Sequence, residues 1–421
     1  MTITVLGLWH LGSVTAACMA RHHRVTGVDF DEPVLAKLRA GHAPLHEPGL
    51  DDLLAAGLAS GNLGFAVEAA AASDVLWVCY DTPVDDDDRS DLAWVHTRLA
   101  RVLPGLKPGT VVLISSQLPV GTCAQLAAQH PTLIFACSPE NLRLGKALEA
   151  FEKPARIIVG ASVGPARAVL EKVLAPIGAP IVWMRPESAE MVKHALNSFL
   201  ALSVAYINEI AALSETVGAD AQEVAAGLKS EPRIGPRAYL GPGGPFAGGT
   251  LARDVVSLTR LGAAQNIPHA LIPAIKESND RHRGWAFRKV LAALGGIAQP
   301  VVAVLGLAYT PNTSTLRRSA AVELCRQLRA AGMEVRAFDP LIRVLDEEHR
   351  DLTLADSAAA ALRGAHAVVI ATEWPEFRDY PWPVLLAGMA RPVVIDANRL
   401  VEKAVSSLAG VVYLTVGRSV G

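Results

Sequence analysis

The sequence predicts an α/β fold in which two doubly wound domains are joined by a long central helix and a helical middle segment. Two observations lead to this prediction. Short β-branched and apolar runs alternate with helical patterns in the first part of the chain and again from Pro300 onward. Between these parts, apolar residues keep helical spacing from Pro186 to about Val217. The predicted domains span residues 1–185, 186–295 and 296–421.

Composition limits the class of protein. The chain has 421 residues, of which 51% are hydrophobic and 19% charged, and its net charge is −2, which indicates a globular protein without a surface for nucleic acid. Five cysteines are scattered without metal-ligand spacing, so we expect a reducing compartment, the cytoplasm, and no metal. Met1 leads directly into a strand-like run, so we expect neither a signal peptide nor a membrane anchor.

The first strand, turn and helix follow the layout of a dinucleotide-binding unit. The run Thr2–Leu6 ends at Gly7, a helical pattern follows, and a second strand, His23–Val28, ends in Asp29. Such a turn places a pyrophosphate at the helix N-terminus. Asp29 would bind the ribose diol and favour NAD over NADP. Trp9 stands where the pattern expects a second glycine, and a purely steric use of glycine in the turn is the alternative.

Further strands are predicted on both sides of the central helix. In the first block they are Asp74–Tyr80, Thr110–Ser115, Thr132–Cys137, Ile157–Gly160 and Pro180–Met184. In the second block a strand from Pro300 is followed by the helix Ala320–Ala331 and by the strands Glu334–Phe338, His366–Ala371 and Pro392–Asp396.

The central helix carries a candidate proton-transfer pair. Lys193 and Asn197 are four residues apart and share one helical face. Burial would lower the pKa of such a lysine towards neutrality, and a surface lysine beside a surface asparagine is the alternative. The stretch Phe199–Ile207 is apolar nearly all round, which predicts burial on several sides. Polar residues interrupt the apolar run, so we do not expect a membrane span.

A segment rich in glycine and proline, Arg233–Asp254, follows the central helix. A linker of this kind would be polar, whereas this segment contains Tyr239 and Phe246 and ends at an Arg-Asp pair. We therefore predict a loop that brings its backbone close to a ligand, followed by a helix over Val255–Gln265.

Taken together, these segments resemble the UDP-glucose/GDP-mannose dehydrogenase family over essentially the whole chain. The matching segments are GLWHLG with Asp29, HEPGL at 46–50, Thr82 with Pro83, PVGT at 119–122, SPENLR at 138–143, RIIVG at 156–160, AEMVKHALNSFLA at 189–201, RIGP at 233–236, GLAYTPNT at 306–313 and ATEWPEF at 371–377. The resemblance implies NAD-dependent oxidation of the primary alcohol of a nucleotide sugar. It also implies a homodimer built on the central helix, with NAD in the N-terminal domain and the nucleotide in the C-terminal domain.

The resemblance also implies roles for individual residues. In the family, residues at the positions of Lys193, Asn197 and Asp254 order a water and move protons, and Glu140 matches another family acid. The residues expected to bind the cofactor are Gly7, Trp9, His10, Leu11, Gly12, Asp29, Thr82, Pro83, Gln117 and Arg318. Those expected to bind the substrate are Glu140, Asn141, Leu142, Lys193, Asn197, Arg233, Tyr239, Gly243, Phe246, Gly248 and Thr310.

The chain departs from the family at the reaction centre. The family's second oxidation passes through a thiohemiacetal on the cysteine of GGSCFPKD, and the matching stretch here is GGTLARD, which places Thr250 at that position. A shifted alignment would place Gly249 there instead, and neither residue is a thiol. Thr250 is kept as a catalytic candidate. Further departures are Leu144 for a family acid, Gln117 for a threonine, and Ser115, Arg253 and Thr310 for lysines.

Three functions remain open from the sequence. The first is a two-electron oxidation of a nucleotide-linked, or similarly phosphorylated, sugar or polyol to an aldehyde or ketone. The second is the full four-electron oxidation to a uronic acid through an aldehyde hydrate, without a covalent intermediate. The third is a non-catalytic protein that binds NAD or a nucleotide sugar. Retention of Lys193, Asn197 and Asp254 speaks against the third, because a protein without chemistry has little need of a buried lysine.

Overall fold

The structure is a computed structural model, and it shows two compact units. The first unit spans Met1–Leu196 and the second spans Asn197–Gly421, so the boundary falls inside one continuous helix. The structure describes residues 1–69, 73–85, 87–140, 142–162, 164–246 and 250–419.

The first unit is built on a sheet of eight strands. In chain order its elements are β1 Thr2–Leu6, α1 His10–Ala20, β2 Arg24–Val28, α2 Glu32–Arg39, α3 Leu50–Ala59, β3 Leu63–Ala66, β4 Val75–Val78, α4 Leu92–Val102, β5 Val111–Ile114, α5 Thr122–Gln129, β6 Ile134–Cys137, α6 Ala147–Glu152, β7 Ile157–Gly160, α7 Pro165–Leu174, β8 Ile181–Met184 and the start of α8 Pro186–Val217, with short 3₁₀ turns at Leu103–Gly105 and Ala175–Ile177. The strand order is β3-β2-β1-β4-β5-β6-β7-β8, and the β6–β7 pair is antiparallel. The order 3-2-1-4-5-6 of the first six strands is that of dinucleotide-binding domains.

The second unit contains the rest of α8, a helical segment and a parallel sheet of five strands. Its further elements are α9 Ala221–Ser230, α10 Thr250–Ala264, α11 Leu271–Arg283, α12 Trp285–Leu294, β9 Val301–Leu305, α13 Ala320–Ala330, β10 Glu334–Phe338, α14 Ala358–Leu362, β11 Ala367–Ile370, α15 Trp382–Ala387, β12 Val393–Asp396, α16 Glu402–Val405 and β13 Val412–Leu414, with 3₁₀ turns at Glu347–His349 and Pro375–Asp379. The strand order is β10-β9-β11-β12-β13. The predicted α/β architecture with two doubly wound domains is confirmed.

The central strands of both sheets are apolar because both of their faces are covered. All residues of β4 (VLWV), β5 (VVLI) and β11 (AVVI) are buried, as expected for parallel strands with helices on both sides. The strands β3 and β13, which the sequence analysis missed, lie at sheet edges, are only partly buried and are just four and three residues long.

In each unit the first strand in chain order, β1 or β9, is followed by a turn at a glycine. Gly7 after β1 and Gly306 after β9 have φ angles of +90° and +89°, a region in which glycine is favoured. The carboxylate of Asp339, at the end of β10, accepts hydrogen bonds from the amides of Leu307 (2.7 Å) and Ala308 (2.9 Å). The second unit therefore closes its first turn with an acid from the neighbouring strand.

Helix α10 corrects one prediction. The helix was expected to begin at Val255, but it begins at Thr250, inside the predicted ligand loop. The segment Thr250–Asp254 contains neither glycine nor proline, so nothing in it opposes helix formation. Thr250 and Asp254 consequently lie four residues apart on the first turns of a helix.

Within a single chain, the stretch Phe199–Ile207 of helix α8 is buried on only part of its surface. Ala201, Ala205 and Ile207 are buried, whereas Phe199 is 64% exposed and Tyr206 47% exposed. Among the described residues, α8 is the one helix long and apolar enough to cross a membrane by length and composition. The long core helix of a soluble protein meets the same criterion, so this property is weak evidence for a membrane span.

Candidate active site

The turn between β1 and α1 has no room for a side chain at Gly7 or Gly12. A Cβ atom on Gly7 would overlap the ring of Tyr80, and one on Gly12 would overlap the carbonyl oxygen of Gly7. Glycine at both positions lets the start of α1 approach the end of β1. Trp9, at the position of the expected second glycine, is 44% exposed.

Asp29 links the end of β2 to this turn. One carboxylate oxygen accepts a hydrogen bond from the amide of Leu8 (2.7 Å), and the other accepts one from the amide of Phe30 (2.7 Å). The acid that was predicted to select NAD therefore also holds the glycine turn in place.

The predicted cofactor residues His10 and Leu11 open helix α1. His10 is buried, and its Nε2 lies 2.9 Å from a carboxylate oxygen of Glu47. The amide of Leu11 donates to the carboxylate of Asp81 (3.3 Å). The sequence analysis assigned no role to Glu47 or Asp81.

The buried carboxylate of Glu47 accepts several hydrogen bonds. Its carboxylate also accepts hydrogen bonds from the amides of Gly145 (2.9 Å) and Ala147 (2.8 Å). Burial acts to raise the pKa of Glu47, but the hydrogen bonds from His10, Ala147 and Gly145 together hold it below its usual value. The charged carboxylate thus fastens the start of α1 to the loop that precedes α6.

Thr82, Pro83 and Gln117 lie in the loops that follow β4 and β5. The Thr82 hydroxyl donates to the carbonyl oxygen of Gln117 (3.0 Å). In open α/β sheets, ligands bind beyond the carboxyl ends of the strands, which is where these loops lie.

Lys193, on α8, is buried against the segment that follows β6. Its ammonium donates to the carbonyl oxygen of Glu140 (2.5 Å) and lies 3.3 Å from a carboxylate oxygen of the same residue. Lys193 is 8% exposed, so the alternative of a surface lysine is wrong. Leu142, a predicted substrate residue, is half-buried and donates its amide to the Glu140 carboxylate.

A cavity of about 20 Å³ lies beside the Lys193 side chain, which is room for one water molecule. Its lining residues are Ile114, Ser115, Ser116, Gln117, Leu118, Cys137, Pro139, Glu190, Lys193 and His194. Within the described part of the chain, the buried hydroxyl of Ser116 has no hydrogen-bond partner. Glu190, which lines the cavity one turn before Lys193, accepts hydrogen bonds from the amides of Gly121 (2.6 Å) and Cys123 (2.9 Å) and so fixes the segment that follows the lining residue Leu118.

In the second unit, Asn197 and Asp254 contact each other directly. The side-chain amide of Asn197 donates to the carboxylate of Asp254 (2.5 Å), and both residues are buried. Thr250, one turn before Asp254 on α10, is exposed. The Asn197 amide orients a carboxylate that is completely withdrawn from solvent, whereas Thr250 is exposed.

The glycine-rich loop before α10 is held by side chains that the sequence analysis did not assign. Asn279 bonds both the amide and the carbonyl of Phe246 (2.9 Å each). Asn208 accepts a hydrogen bond from the amide of Gly243 (3.0 Å). His282 lies 2.7 Å from the Gly243 carbonyl oxygen, and burial lowers its pKa, which favours the neutral ring.

The remaining predicted residues are spread over loops of the second unit. Arg233 and Tyr239 are exposed, and Arg233 pairs with Glu231. Thr310 and Arg318 are half-buried in the segment between β9 and α13. Asn141 and Gly248 lie outside the described residues. All of these roles stay predictions.

Three domain profiles of one family match the chain in order. The NAD-binding domain of the UDP-glucose/GDP-mannose dehydrogenase family matches residues 1–178, the central domain residues 187–281 and the UDP-binding domain residues 303–403.

Several relatives align with almost the full chain. The UDP-glucose 6-dehydrogenase of Rhizobium meliloti (strain 1021) is 35% identical over 99% of this chain and 100% of its own length. The UDP-glucose 6-dehydrogenase TuaD of Bacillus subtilis (strain 168) is 31% identical over 99% of this chain and 93% of its own. The solved structure of a UDP-glucose dehydrogenase from Pyrobaculum islandicum superposes with a TM-score of 0.89 at 32% identity, over 99% of this chain and 98% of that one.

The residues of the first unit fit the cofactor that the family implies. The two glycines keep the β1–α1 turn tight, as a dinucleotide turn requires, and Asp29 lies at the end of β2, where a ribose diol is bound in such domains. With these features in the first sheet and three family domains in order, the chain belongs to the UDP-glucose/GDP-mannose dehydrogenase family and is an NAD-dependent oxidoreductase.

Proposed function

We propose that the protein oxidises the primary alcohol of a UDP-linked sugar, or of a similar nucleotide sugar, by two electrons and releases the aldehyde. The relatives are named for UDP-glucose, and the matched C-terminal domain is a UDP-binding domain, which supports this class of substrate. The alcohol carbon would lose a hydride and the hydroxyl would lose a proton, so that alcohol and NAD⁺ give aldehyde, NADH and one proton.

The observation that carries the two-electron outcome is the residue at the start of α10. We place Thr250, or Gly249 in a shifted alignment, at the cysteine position of the family, and Thr250 is exposed. A threonine hydroxyl is a weak nucleophile unless a base activates it, whereas a thiol is partly ionised near neutral pH. Without a thiol at this position the aldehyde has no covalent tether, and the family's route to the acid is lost.

The residues that remain suffice for the first oxidation. Bound NAD would accept the hydride. Lys193 would take the proton of the alcohol, and the carbonyl and carboxylate of Glu140 lie where they would stabilise the resulting charge. Asn197 holds the Asp254 carboxylate, which we propose orders a water for the release of that proton.

A second candidate is the four-electron oxidation through an aldehyde hydrate. The cavity beside Lys193 supports it, because this space and the Ser116 hydroxyl are suited to one water molecule. A water at this place would add to the aldehyde carbon, and the hydrate would lose a hydride to a second NAD⁺ and a proton from one hydroxyl, which gives the acid, a second NADH and one proton.

The proposal also covers the domain boundaries, the cellular location and the oligomeric state of the protein. We propose the domains 1–185, 186–295 and 296–421, a cytoplasmic location and a homodimer built on α8. Three exposed apolar residues of α8, Phe199, Tyr206 and Leu213, follow one another at intervals of seven residues, and such a stripe is suited to a partner helix.

The experiment combines ligand binding with product trapping. UDP-glucose, other UDP-sugars and GDP-mannose are tested, with and without NAD, for an increase in the melting temperature of the protein. Each sugar that binds is then incubated with NAD and hydroxylamine, and the product is identified by mass spectrometry. An oxime is the expected product, free uronic acid would support the second candidate, and binding without any NADH would support a non-catalytic protein.

A further inference from the structure

We propose that Asp81 is an internal competitor for the diphosphate of NAD: its carboxylate occupies the anion position at the N-terminus of α1 and weakens cofactor binding. The inference rests on NAD as the cofactor and is independent of which sugar is oxidised.

The contact is made at an amide that a diphosphate would use. Helix α1 begins at His10, so the amide of Leu11 belongs to the first turn and has no partner inside the helix. In dinucleotide-binding domains the cofactor's pyrophosphate sits at this helix N-terminus. Here the Asp81 carboxylate accepts the hydrogen bond from Leu11 at 3.3 Å, a long distance for such a bond.

The backbone on both sides of Asp81 is fixed. The ring of the preceding residue, Tyr80, is buried and packs where a Cβ of Gly7 would lie. The hydroxyl of the following residue, Thr82, is bonded to the carbonyl oxygen of Gln117. Asp81 is itself exposed, and its backbone stays beside the glycine turn.

This arrangement places a negative charge beside the site of the cofactor's diphosphate, which is itself negatively charged. When the cofactor binds, its diphosphate and the Asp81 carboxylate compete for the positive end of the helix dipole. Even after the side chain has turned away, its charge stays close to the diphosphate because the backbone is held. Asp81 therefore weakens the binding of the diphosphate group and does not affect the binding of the adenosine.

The test measures dissociation constants by calorimetry for NAD, ADP-ribose and adenosine, with the unmodified protein, Asp81→Asn and Asp87→Asn. Asparagine keeps an oxygen that can accept from Leu11, so Asp81→Asn removes the charge and preserves the shape. Asp87 is exposed on the same loop and pairs with Arg89, so Asp87→Asn makes the same change in net charge away from α1.

Asp81→Asn is expected to tighten the binding of NAD and of ADP-ribose by about three- to ten-fold and to leave adenosine binding unchanged. The gain should shrink at high salt, because a partly exposed charge is screened. The inference is overturned if Asp81→Asn binds NAD equally or more weakly, or if Asp87→Asn gives the same gain. Unfolding temperatures of the free variants establish that each is folded, and failure of sugar oxidation alone leaves this result intact.

Discussion

The ammonium of Lys193 contacts Glu140 at two points, the main-chain carbonyl oxygen and, at 3.3 Å, a carboxylate oxygen. Lys193 lies on the long helix α8, and Glu140 lies in the segment that follows β6. The contact therefore joins the helix to the carboxyl edge of the sheet, where ligands of α/β proteins bind. It also places two oxygen atoms beside the ammonium, which is the arrangement that the proposed role of Lys193 as proton acceptor requires.

The first prediction concerns Lys193. Lys193→Ala is expected to lower kcat by about 10²- to 10⁴-fold, because the reaction loses the group that accepts the alcohol proton. Steady-state kinetics with NAD and the sugar that binds would measure the loss. Lys172→Ala, which changes an exposed lysine of α7, is the matched control and should behave as the unmodified protein. If Lys193→Ala kept most of its activity while folded, another group would be the base.

The second prediction concerns the choice of cofactor. The unmodified protein is expected to prefer NAD to NADP, since the Asp29 carboxylate would repel a 2′-phosphate. Asp29→Asn removes that charge and keeps an oxygen for the amide of Leu8, so the turn should persist while the preference weakens. Dissociation constants for both cofactors measure the change. Equal binding of NAD and NADP by the unmodified protein would contradict the assignment.

The third prediction concerns stability against acid. The pKa of Glu47 is lowered in the folded protein, so its contribution to the free energy of unfolding is fully present above the pKa of an unfolded glutamate, about 4.3. That contribution is lost as the pH falls through the lower, folded pKa. Glu47→Gln should therefore lower the melting temperature at pH 7 and give a shallower decline between about pH 5 and pH 3.

The expected loss for Glu47→Gln at pH 7 is about 1.5 to 3 kcal/mol, the size of a hydrogen-bond contribution from a charged group. Glu171→Gln changes an exposed glutamate of α7 and is the control. A melting temperature of Glu47→Gln that equals that of the unmodified protein at pH 7 would show that the network with His10 adds no stability.

The fourth prediction concerns the dimer. The unmodified protein should have about twice the mass of one chain in solution, and Leu213→Arg should shift it towards the monomer, because the charge would lie within the proposed apolar interface. Val344→Arg places the same charge on another exposed apolar residue and should leave the mass unchanged. Light scattering after size-exclusion chromatography measures both. A monomeric mass of the unmodified protein at micromolar concentration would refute the dimer.

The architecture could be predicted from the sequence because it depends on local patterns. Buried parallel strands read as short apolar runs, and α8, β7 and β10 begin and end at the predicted residues. The start of α10 was predicted too late because Thr250–Asp254 directly follows the glycine-rich stretch and was assigned to the loop with it.

The side-chain contacts of the site could be predicted only in part. Lys193 and Asn197 were identified from their helical spacing and from the family resemblance. The contacts of Asp81 with Leu11 and of Glu47 with His10 join residues 70 and 37 positions apart and connect two loops to the start of α1. Such contacts arise when the sheet brings loop ends together, and local periodicity carries no signal of them.

The measurement that tests the account most directly is the number of NADH molecules formed per molecule of sugar consumed. If Thr250 occupies the cysteine position, as proposed, the unmodified protein should form one NADH per sugar, and Thr250→Ala should give the same ratio because the proposed first hydride transfer does not use the hydroxyl. Consumption of a limiting amount of the sugar is followed by absorbance and chromatography. A ratio of two NADH per sugar, with a uronic acid as product, would contradict the two-electron reaction.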